Sequence, residues 1–118
     1  MFNWVTLHVK DLDASIMFYQ KIIGLKLNRR FEAGAGVEIA FLGTGETQVE
    51  LIKLGENTSP IFGKDISLGF EVSSIEEFIK INEVKNYKGP IQPNSQIKFI
   101  YIQDPDGLNI QLIESIKK

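Results

Sequence analysis

Residues 1–52 and 64–114 repeat one order of strand-like and helix-like segments. Val5 to Leu12 leads into a helical stretch and Ile66 to Ile75 does so again, while Ile39 to Ile52 has its counterpart in Ile100 to Ile113. One such unit cannot bury its own sheet well, so two copies are expected to pair with pseudo-two-fold symmetry. Equivalent positions would then face each other across a shared space, and the residues lining that space are the candidates for function.

Length, composition and charge limit the class of protein. The 118 residues, 43% of them hydrophobic, fit a single soluble domain spanning 1–118. A net charge of −2 with scattered Lys and Arg gives no reason to expect nucleic acid. The absence of cysteine excludes disulfides, thiolate metal sites and thiol nucleophiles. No apolar run approaches the roughly 18 residues of a membrane span and no signal-peptide profile is visible, so we predict a cytoplasmic protein without a membrane partner.

The first module, about residues 1–53, reads as βαβββ. Its first strand alternates two faces, with Trp4, Thr6 and His8 on one side. Asp11 is the expected N-cap of an amphipathic helix that ends at Gly24. Strands are predicted at about 25–32, 37–43 and 47–53, separated by turns rich in glycine.

The second module, about residues 64–118, repeats this order after a linker at 54–63. We predict a strand at about 65–72, a helix begun by Ser73 or Ser74, and a final hairpin. A weaker strand is expected from Tyr87 to Gln92, where Gly89 and Pro90 interrupt the pattern. The fold class is therefore α+β, with two βαβββ modules forming an open cupped barrel, helices outside, and the concave face as the expected pocket.

Five motifs in this order resemble the vicinal oxygen chelate superfamily. They are Val9 to Tyr19, Ile23 to Leu25, Val49 to Leu51, Asp104 to Gly107 and Ile110 to Leu112. That superfamily includes glyoxalase I, extradiol dioxygenases, fosfomycin-resistance thiol transferases and bleomycin-resistance proteins. The resemblance covers essentially the whole chain and implies the cupped fold. It also implies a homodimer, since family members are commonly dimeric.

The resemblance places potential metal ligands at Trp4, Glu50, Ser67 and Gln111. Family metalloenzymes carry His or Glu on the first and last strand of each half, and Glu50 alone matches that pattern. An indole offers only an N–H donor, and an amide or hydroxyl binds a divalent metal more weakly than imidazole or carboxylate. His8 lies four strand residues from Trp4, roughly 13 Å away, and does not fill the gap. We therefore expect no cofactor, with a weakly held divalent metal as the alternative.

The candidate site residues each carry a second interpretation. Glu50 is expected in the cup with Gln111, Thr6 or a basic side chain as its partner, unless it receives a ligand's cation or hydroxyl. Trp4 is either a core residue or the aromatic floor for a planar ligand. His8 is either a ligand contact or an ordinary rim residue. Tyr101 is a pocket wall by its resemblance to a dioxygenase signature, whereas Asp104 to Gly107 is a turn.

These observations predict a metal-free protein that binds a small planar or aromatic molecule. Sequestration of an antibiotic or toxic metabolite, as in antibiotic resistance of the bleomycin type, is the specific version that the resemblance implies. One alternative is a metal-dependent enzyme with a degenerate metal site and Glu50 as base: a glyoxalase-like lyase or isomerase, a thiol transferase or a dioxygenase. The other is a module whose pocket is vestigial. The ligand-binding residues are predicted to be Trp4, Thr6, His8, Glu50, Ser67, Tyr101 and Gln111.

Overall fold

The computed structural model describes residues 1–56 and 59–116, and it divides into two compact units between Ile61 and Phe62. Each unit contains a strand, a helix and three further strands. The predicted α+β class and the two βαβββ modules are thus confirmed. No helix among the described residues is long and apolar enough to cross a bilayer.

The first unit is a four-stranded mixed sheet with one helix. Its strands are ordered β1-β4-β3-β2, with β1 parallel to β4 and the other neighbours antiparallel. The elements are β1 (Trp4–His8), α1 (Leu12–Met17), a π-helical segment (Phe18–Ile22), β2 (Leu27–Glu32), β3 (Val37–Leu42) and β4 (Gln48–Leu54).

Alternation along β1 and β4 separates the two faces of this sheet. Leu7 is 5% exposed and Leu51 is fully buried, and both lie on the face against which α1 packs. Ala40 and Leu42 of β3 add to the same core. The opposite face carries Trp4, Thr6 and His8, as the alternation predicted, and is called the Trp4 face below.

The helix of the first unit begins where the sequence predicted and ends differently. Asp11 is the N-cap, because its carboxylate accepts a hydrogen bond from the Ala14 N–H at 3.1 Å. The α-helix stops at Met17 rather than continuing regularly to Gly24. The Ile23 N–H bonds to the Phe18 carbonyl, five residues back, which widens the last turn into a π-helix. Tyr19 is fully buried in that segment.

The second unit repeats the topology with the order β5-β8-β7-β6 and with β5 parallel to β8. Ser74 is the N-cap of its helix, accepting from the Glu77 N–H at 3.2 Å, so the choice between Ser73 and Ser74 is settled. The elements are β5 (Ser67–Glu71), α2 (Ile75–Ile81), β6 (Lys88–Ile91), β7 (Ile97–Gln103) and β8 (Asn109–Ser115).

The structure contains both the interrupted strand and the final turn that the sequence predicted. Strand β6 is four residues long, and its register against β7 shifts between Lys88 and Ile91, the stretch that holds Gly89 and Pro90. Asp104 makes the final turn, since its Oδ1 accepts from the N–H groups of Asp106 and Leu108, each at 2.9 Å. Gly107 has a φ of +87°, which glycine adopts without strain.

Candidate ligand-binding site

A row of four side chains crosses the Trp4 face, one from each strand. Thr6 of β1 is opposite Glu50 of β4, Glu50 is opposite Phe41 of β3, and Phe41 is opposite Arg29 of β2. Side chains at paired positions point to the same side of a sheet. A hydroxyl, a carboxylate, an aromatic ring and a guanidinium therefore follow one another across the strands.

The carboxylate of Glu50 has the partner that such a position requires. Glu50 is 9% exposed, and the Thr6 hydroxyl donates a hydrogen bond to its Oε1 at 2.5 Å. Of the partners considered for Glu50, the structure thus provides Thr6. Oε2 accepts no hydrogen bond from the described residues and is the oxygen with which a ligand could pair.

Three aromatic rings share the Trp4 face with this carboxylate, and that of Phe41 belongs to the residue directly opposite Glu50. The Phe41 ring is 3% exposed and has Trp4 edge-on, with centroids 5.2 Å apart and an interplanar angle of 83°. Phe31 stacks on the other side at 6.4 Å and 12°. Trp4 remains 45% exposed and Phe31 40% exposed. Phe41 is therefore the buried centre of the cluster, while Trp4 offers indole surface to solvent instead of being a core residue.

Arg29 is held by these rings. Its Cζ lies 4.4 Å from the Phe41 centroid and 5.6 Å from that of Phe31, within the range of cation–π attraction. Within residues 1–56 and 59–116, no carboxylate lies within 4.0 Å of its guanidinium. Arg29 is thus an exposed cation placed over aromatic rings, without an ion pair to any described residue.

The neighbouring Arg30, unlike Arg29, forms ion pairs with carboxylates. It points to the α1 side and bonds to Asp13 at 2.7 Å and to Glu38 at 3.2 Å. The hydrogen bond that Arg30 donates to Asp13, followed by the one that it donates to Glu38, raises the pKa of Arg30 above its ordinary value. Arg29 and Arg30 thus place equal charges on opposite faces, one ion-paired and the other held by aromatic rings.

His8 is exposed at the far end of β1, opposite Ile52. It shares the Trp4 face with Trp4, Thr6 and Glu50, which are the other predicted site residues of the first unit. A shared face does not distinguish the contact role of His8 from the rim role, so its part in binding stays a prediction.

The remaining predicted site residues lie together on one face of the second sheet, here called the Gln111 face. Gln111 is opposite Tyr101 on one side and Gly69 on the other, and Tyr101 is opposite Lys88. Ser67 lies two residues before Gly69 on the same face. The Tyr101 ring meets Phe99 edge-on at 5.6 Å. A Cβ at Gly69 would lie 3.1 Å from the Ile113 Cδ1 and 3.4 Å from the Gln111 Oε1, so the glycine leaves room chiefly for the Ile113 side chain.

The two rows correspond position by position. Trp4 is opposite Gln48, two residues before Glu50, and Ser67 is opposite Asn109, two residues before Gln111. This register supports the assignment of Trp4 and Ser67, and of Glu50 and Gln111, as equivalent positions of the repeat. The second row therefore has Gly69, Gln111, Tyr101 and Lys88 where the first has Thr6, Glu50, Phe41 and Arg29.

The donors at the four family ligand positions do not fit a divalent metal. In the first unit the Trp4 indole has no lone pair to donate, and one oxygen of Glu50 already accepts from Thr6. In the second unit Ser67 and Gln111 offer a neutral hydroxyl and an amide, which are weak ligands for transition metals. The described residues contain no group of three or more His, Asp or Glu side chains placed to hold a metal ion.

Sequence reasoning missed Arg29, Phe31 and Phe41. Phe41 lies in the apolar run from Ile39 to Leu42, where alternation does not reveal which residues face α1. The pair Arg29 and Phe31, two residues apart in β2, did carry a signal, because period-two spacing places both on one face. The face itself becomes known only from the register of β2 with β3.

Known proteins resemble this chain over nearly its whole length. YwbC, an uncharacterized protein of Bacillus subtilis, is 32% identical over 115 residues, which cover 90% of each chain. The lactoylglutathione lyase of Salmonella typhimurium is 33% identical over 120 residues, covering 92% of this chain and 88% of that enzyme.

Solved structures share the fold at lower identity. A glyoxalase family protein from Bacillus cereus superposes with a TM-score of 0.79 at 24% identity, covering 99% of this chain and 94% of that chain. An antibiotic binding protein from Streptomyces superposes with a TM-score of 0.75 at 16% identity, covering 98% and 96%. Residues 1–112 also match the family model described as the glyoxalase, bleomycin resistance protein and dioxygenase superfamily. The fold and this match together show that the chain belongs to that superfamily, as its resemblance to vicinal oxygen chelate proteins predicted.

Proposed function

We propose that this protein binds a small planar or aromatic molecule on the Trp4 face and needs no metal to do so. The observation that carries the proposal is the buried Glu50 carboxylate beside an exposed indole. Glu50 is 9% exposed with one oxygen bonded to Thr6, and Trp4 leaves 45% of its surface uncovered next to Phe41. A few polar groups beside an apolar surface are the usual composition of a small-molecule site.

The comparisons support this type of function. The antibiotic binding protein from Streptomyces has the same fold, so the architecture is compatible with holding an organic ligand. The donors at Trp4, Ser67 and Gln111 favour binding over metal-dependent chemistry, because they lack the imidazole and carboxylate groups that such sites use. Sequestration of an antibiotic or a toxic metabolite is the version we propose, with a homodimer as its working form.

An enzyme is the second candidate, and the identity to lactoylglutathione lyases favours it. The Salmonella enzyme is 33% identical across most of both chains. Glu50 would then be the base, since the free Oε2 of its carboxylate can accept a proton from a ligand group placed on the Trp4 face. Methylglyoxal with glutathione is the substrate pair for testing this version. Turnover that disappears in Glu50→Gln would replace the binding proposal with the enzymatic one.

A thermal-shift screen of aromatic antibiotics and metabolites tests the binding proposal. A ligand that binds the folded state raises the melting temperature, by an amount that grows with the logarithm of its concentration relative to Kd. We expect hits whose shifts shrink in Trp4→Leu and in Glu50→Gln, while Glu50→Gln keeps its fold. Tyr87→Leu is the control, because it also removes a half-exposed aromatic ring, but one that lies outside the described strands.

Two outcomes of this screen would contradict the proposal. Hits with the same shift in the wild type, Trp4→Leu and Glu50→Gln would place the ligand away from the Trp4 face. A screen without hits would favour a vestigial pocket. Separate variants of Ser67, Tyr101 and Gln111 test whether the Gln111 face contributes to binding, as predicted from the sequence.

A further inference from the structure

The Trp4 face keeps two opposite charges apart that could have formed an ion pair. Glu50 and Arg29 lie in the same row with Phe41 between them. Neighbouring strands are about 4.8 Å apart, so the backbones of these two residues, two strands apart, are separated by about 10 Å. The two side chains do not meet within 4.0 Å.

Each charge is fixed by a neighbour that does not neutralise it. Thr6 is an uncharged hydroxyl and occupies Oε1 of Glu50. The Arg29 Cζ lies over the rings of Phe41 and Phe31, and among the described residues its guanidinium has no carboxylate within 4.0 Å. The buried Glu50 carboxylate has an uncharged hydroxyl as its partner among the described residues, and the Arg29 side chain is exposed. Both groups can therefore gain charge-assisted hydrogen bonds from a ligand.

The surface between the two charges is apolar. The Phe41 ring separates them and is covered by its neighbours, while Trp4 and Phe31 each expose 40% or more of their surface beside it. A molecule spanning the row would therefore meet a carboxylate at one end, aromatic rings in the middle and a guanidinium at the other end.

We propose that the ligand is a planar aromatic molecule with two opposite polar ends, an ammonium or similar hydrogen-bond donor that binds Glu50 and a carboxylate or similar acid that binds Arg29. The inference rests on the proposed function and adds the chemical class of the ligand. Guanidinium–carboxylate and carboxylate–ammonium pairs are both charge-assisted hydrogen bonds, which are stronger than neutral ones. An arene between the two groups would lie against Trp4 and Phe31.

Four matched probes test this assignment. They are 4-(aminomethyl)benzoate with both charges, benzylamine with the cation alone, 4-methylbenzoate with the anion alone, and neutral 4-methylbenzyl alcohol. Trp4 is the one tryptophan of the chain, so the intrinsic fluorescence reports directly on occupation of this face. We expect the doubly charged probe to bind roughly tenfold more tightly than either singly charged probe, the change expected for one added charge-assisted bond.

Adjacent residues supply matched controls. Arg29→Gln should weaken 4-(aminomethyl)benzoate and 4-methylbenzoate roughly tenfold while leaving benzylamine unchanged. Arg30→Gln makes the same change of net charge on the α1 side, where Arg30 pairs with Asp13 and Glu38, and should leave all four probes unchanged. Glu50→Gln should weaken the two amine probes, whereas Glu38→Gln should not. Melting curves of each variant confirm that it is folded.

The possible results separate the two proposals. Equal affinities for the charged and neutral probes, or equal losses in Arg29→Gln and Arg30→Gln, would overturn the dipolar assignment while the proposed binding function stands. Failure of all four probes to change the Trp4 fluorescence, in a protein for which the thermal-shift screen finds aromatic ligands, would also overturn it. Failure in both experiments would contradict the proposed function itself.

Discussion

At the residue scale, the stability of a buried polar group depends on its hydrogen-bond partner. Glu50 is tolerated in the first sheet because the Thr6 hydroxyl bonds to one of its oxygens. Sequence alternation placed both residues on one face and included Thr6 among three kinds of possible partner. The register of β1 with β4, which puts the two residues directly opposite each other, was needed to choose among them.

Replacement of Thr6 tests that partnership. Thr6→Val removes the hydroxyl at nearly constant volume and leaves a carboxylate that is 9% exposed without its donor. We expect the free energy of unfolding to fall by about 1–2 kcal/mol, because a buried acceptor without a partner keeps its desolvation penalty. Thr6→Ser should stay near the wild type. Thr47→Val is the control, since the Thr47 hydroxyl bonds to the Phe2 carbonyl at an exposed position. Equal losses at both threonines in urea unfolding would argue against a special role for Thr6.

Ser15 is a buried polar residue in the opposite situation from Glu50, which has Thr6 as its partner. It is fully buried on α1, and its hydroxyl has no hydrogen-bond partner among the residues that the structure describes. Ser15→Ala should raise the free energy of unfolding by about 1 kcal/mol, because it removes an unsatisfied polar group and favours the helix. Differential scanning calorimetry measures the change. A lower melting temperature would mean that the hydroxyl forms a favourable interaction in solution.

At the scale of elements, short signals in the sequence set the ends of helices and the faces of strands. The N-cap residues Asp11 and Ser74 were readable because each precedes an apolar helical pattern. The π-helical end of the first helix was not readable, since the spacing of Leu12, Ile16, Tyr19 and Ile23 also suits a regular α-helix. The place of Arg29 beside Phe41 depended on the shifted register between β2 and β3, which local patterns do not report.

The two N-caps give a paired prediction. Asp11→Ala and Ser74→Ala each remove the side-chain acceptor of a helical N–H, from Ala14 and Glu77 respectively. Each should lower the free energy of unfolding by about 1 kcal/mol. Ser73→Ala, one residue outside the second cap, should change it far less. A larger loss for Ser73→Ala than for Ser74→Ala in thermal unfolding would contradict the assigned start of α2.

At the scale of the whole molecule, the sequence repeat is enough to predict the fold but not the whole candidate site. Two copies of βαβββ and five ordered motifs identified the superfamily, and the family model covers residues 1–112. Only part of the candidate site could be predicted from the sequence. Positions Trp4, Glu50, Ser67 and Gln111 follow from the repeat, whereas the aromatic and basic residues that accompany them come from strand pairing. The two rows also differ in charge, because Glu50 is replaced by Gln111 and Thr6 by Gly69.

We expect this chain to bind its organic ligand without a divalent metal, and the metal content of the purified protein checks that expectation. The purified protein is incubated with Ni²⁺, Zn²⁺, Mn²⁺ or Fe²⁺, passed through gel filtration and subjected to elemental analysis. The donors at Trp4, Ser67 and Gln111 predict far less than one metal per chain, with no difference between the wild type and Glu50→Gln. Near-stoichiometric metal that is lost in Glu50→Gln would contradict the account and direct attention to lyase, transferase and dioxygenase assays.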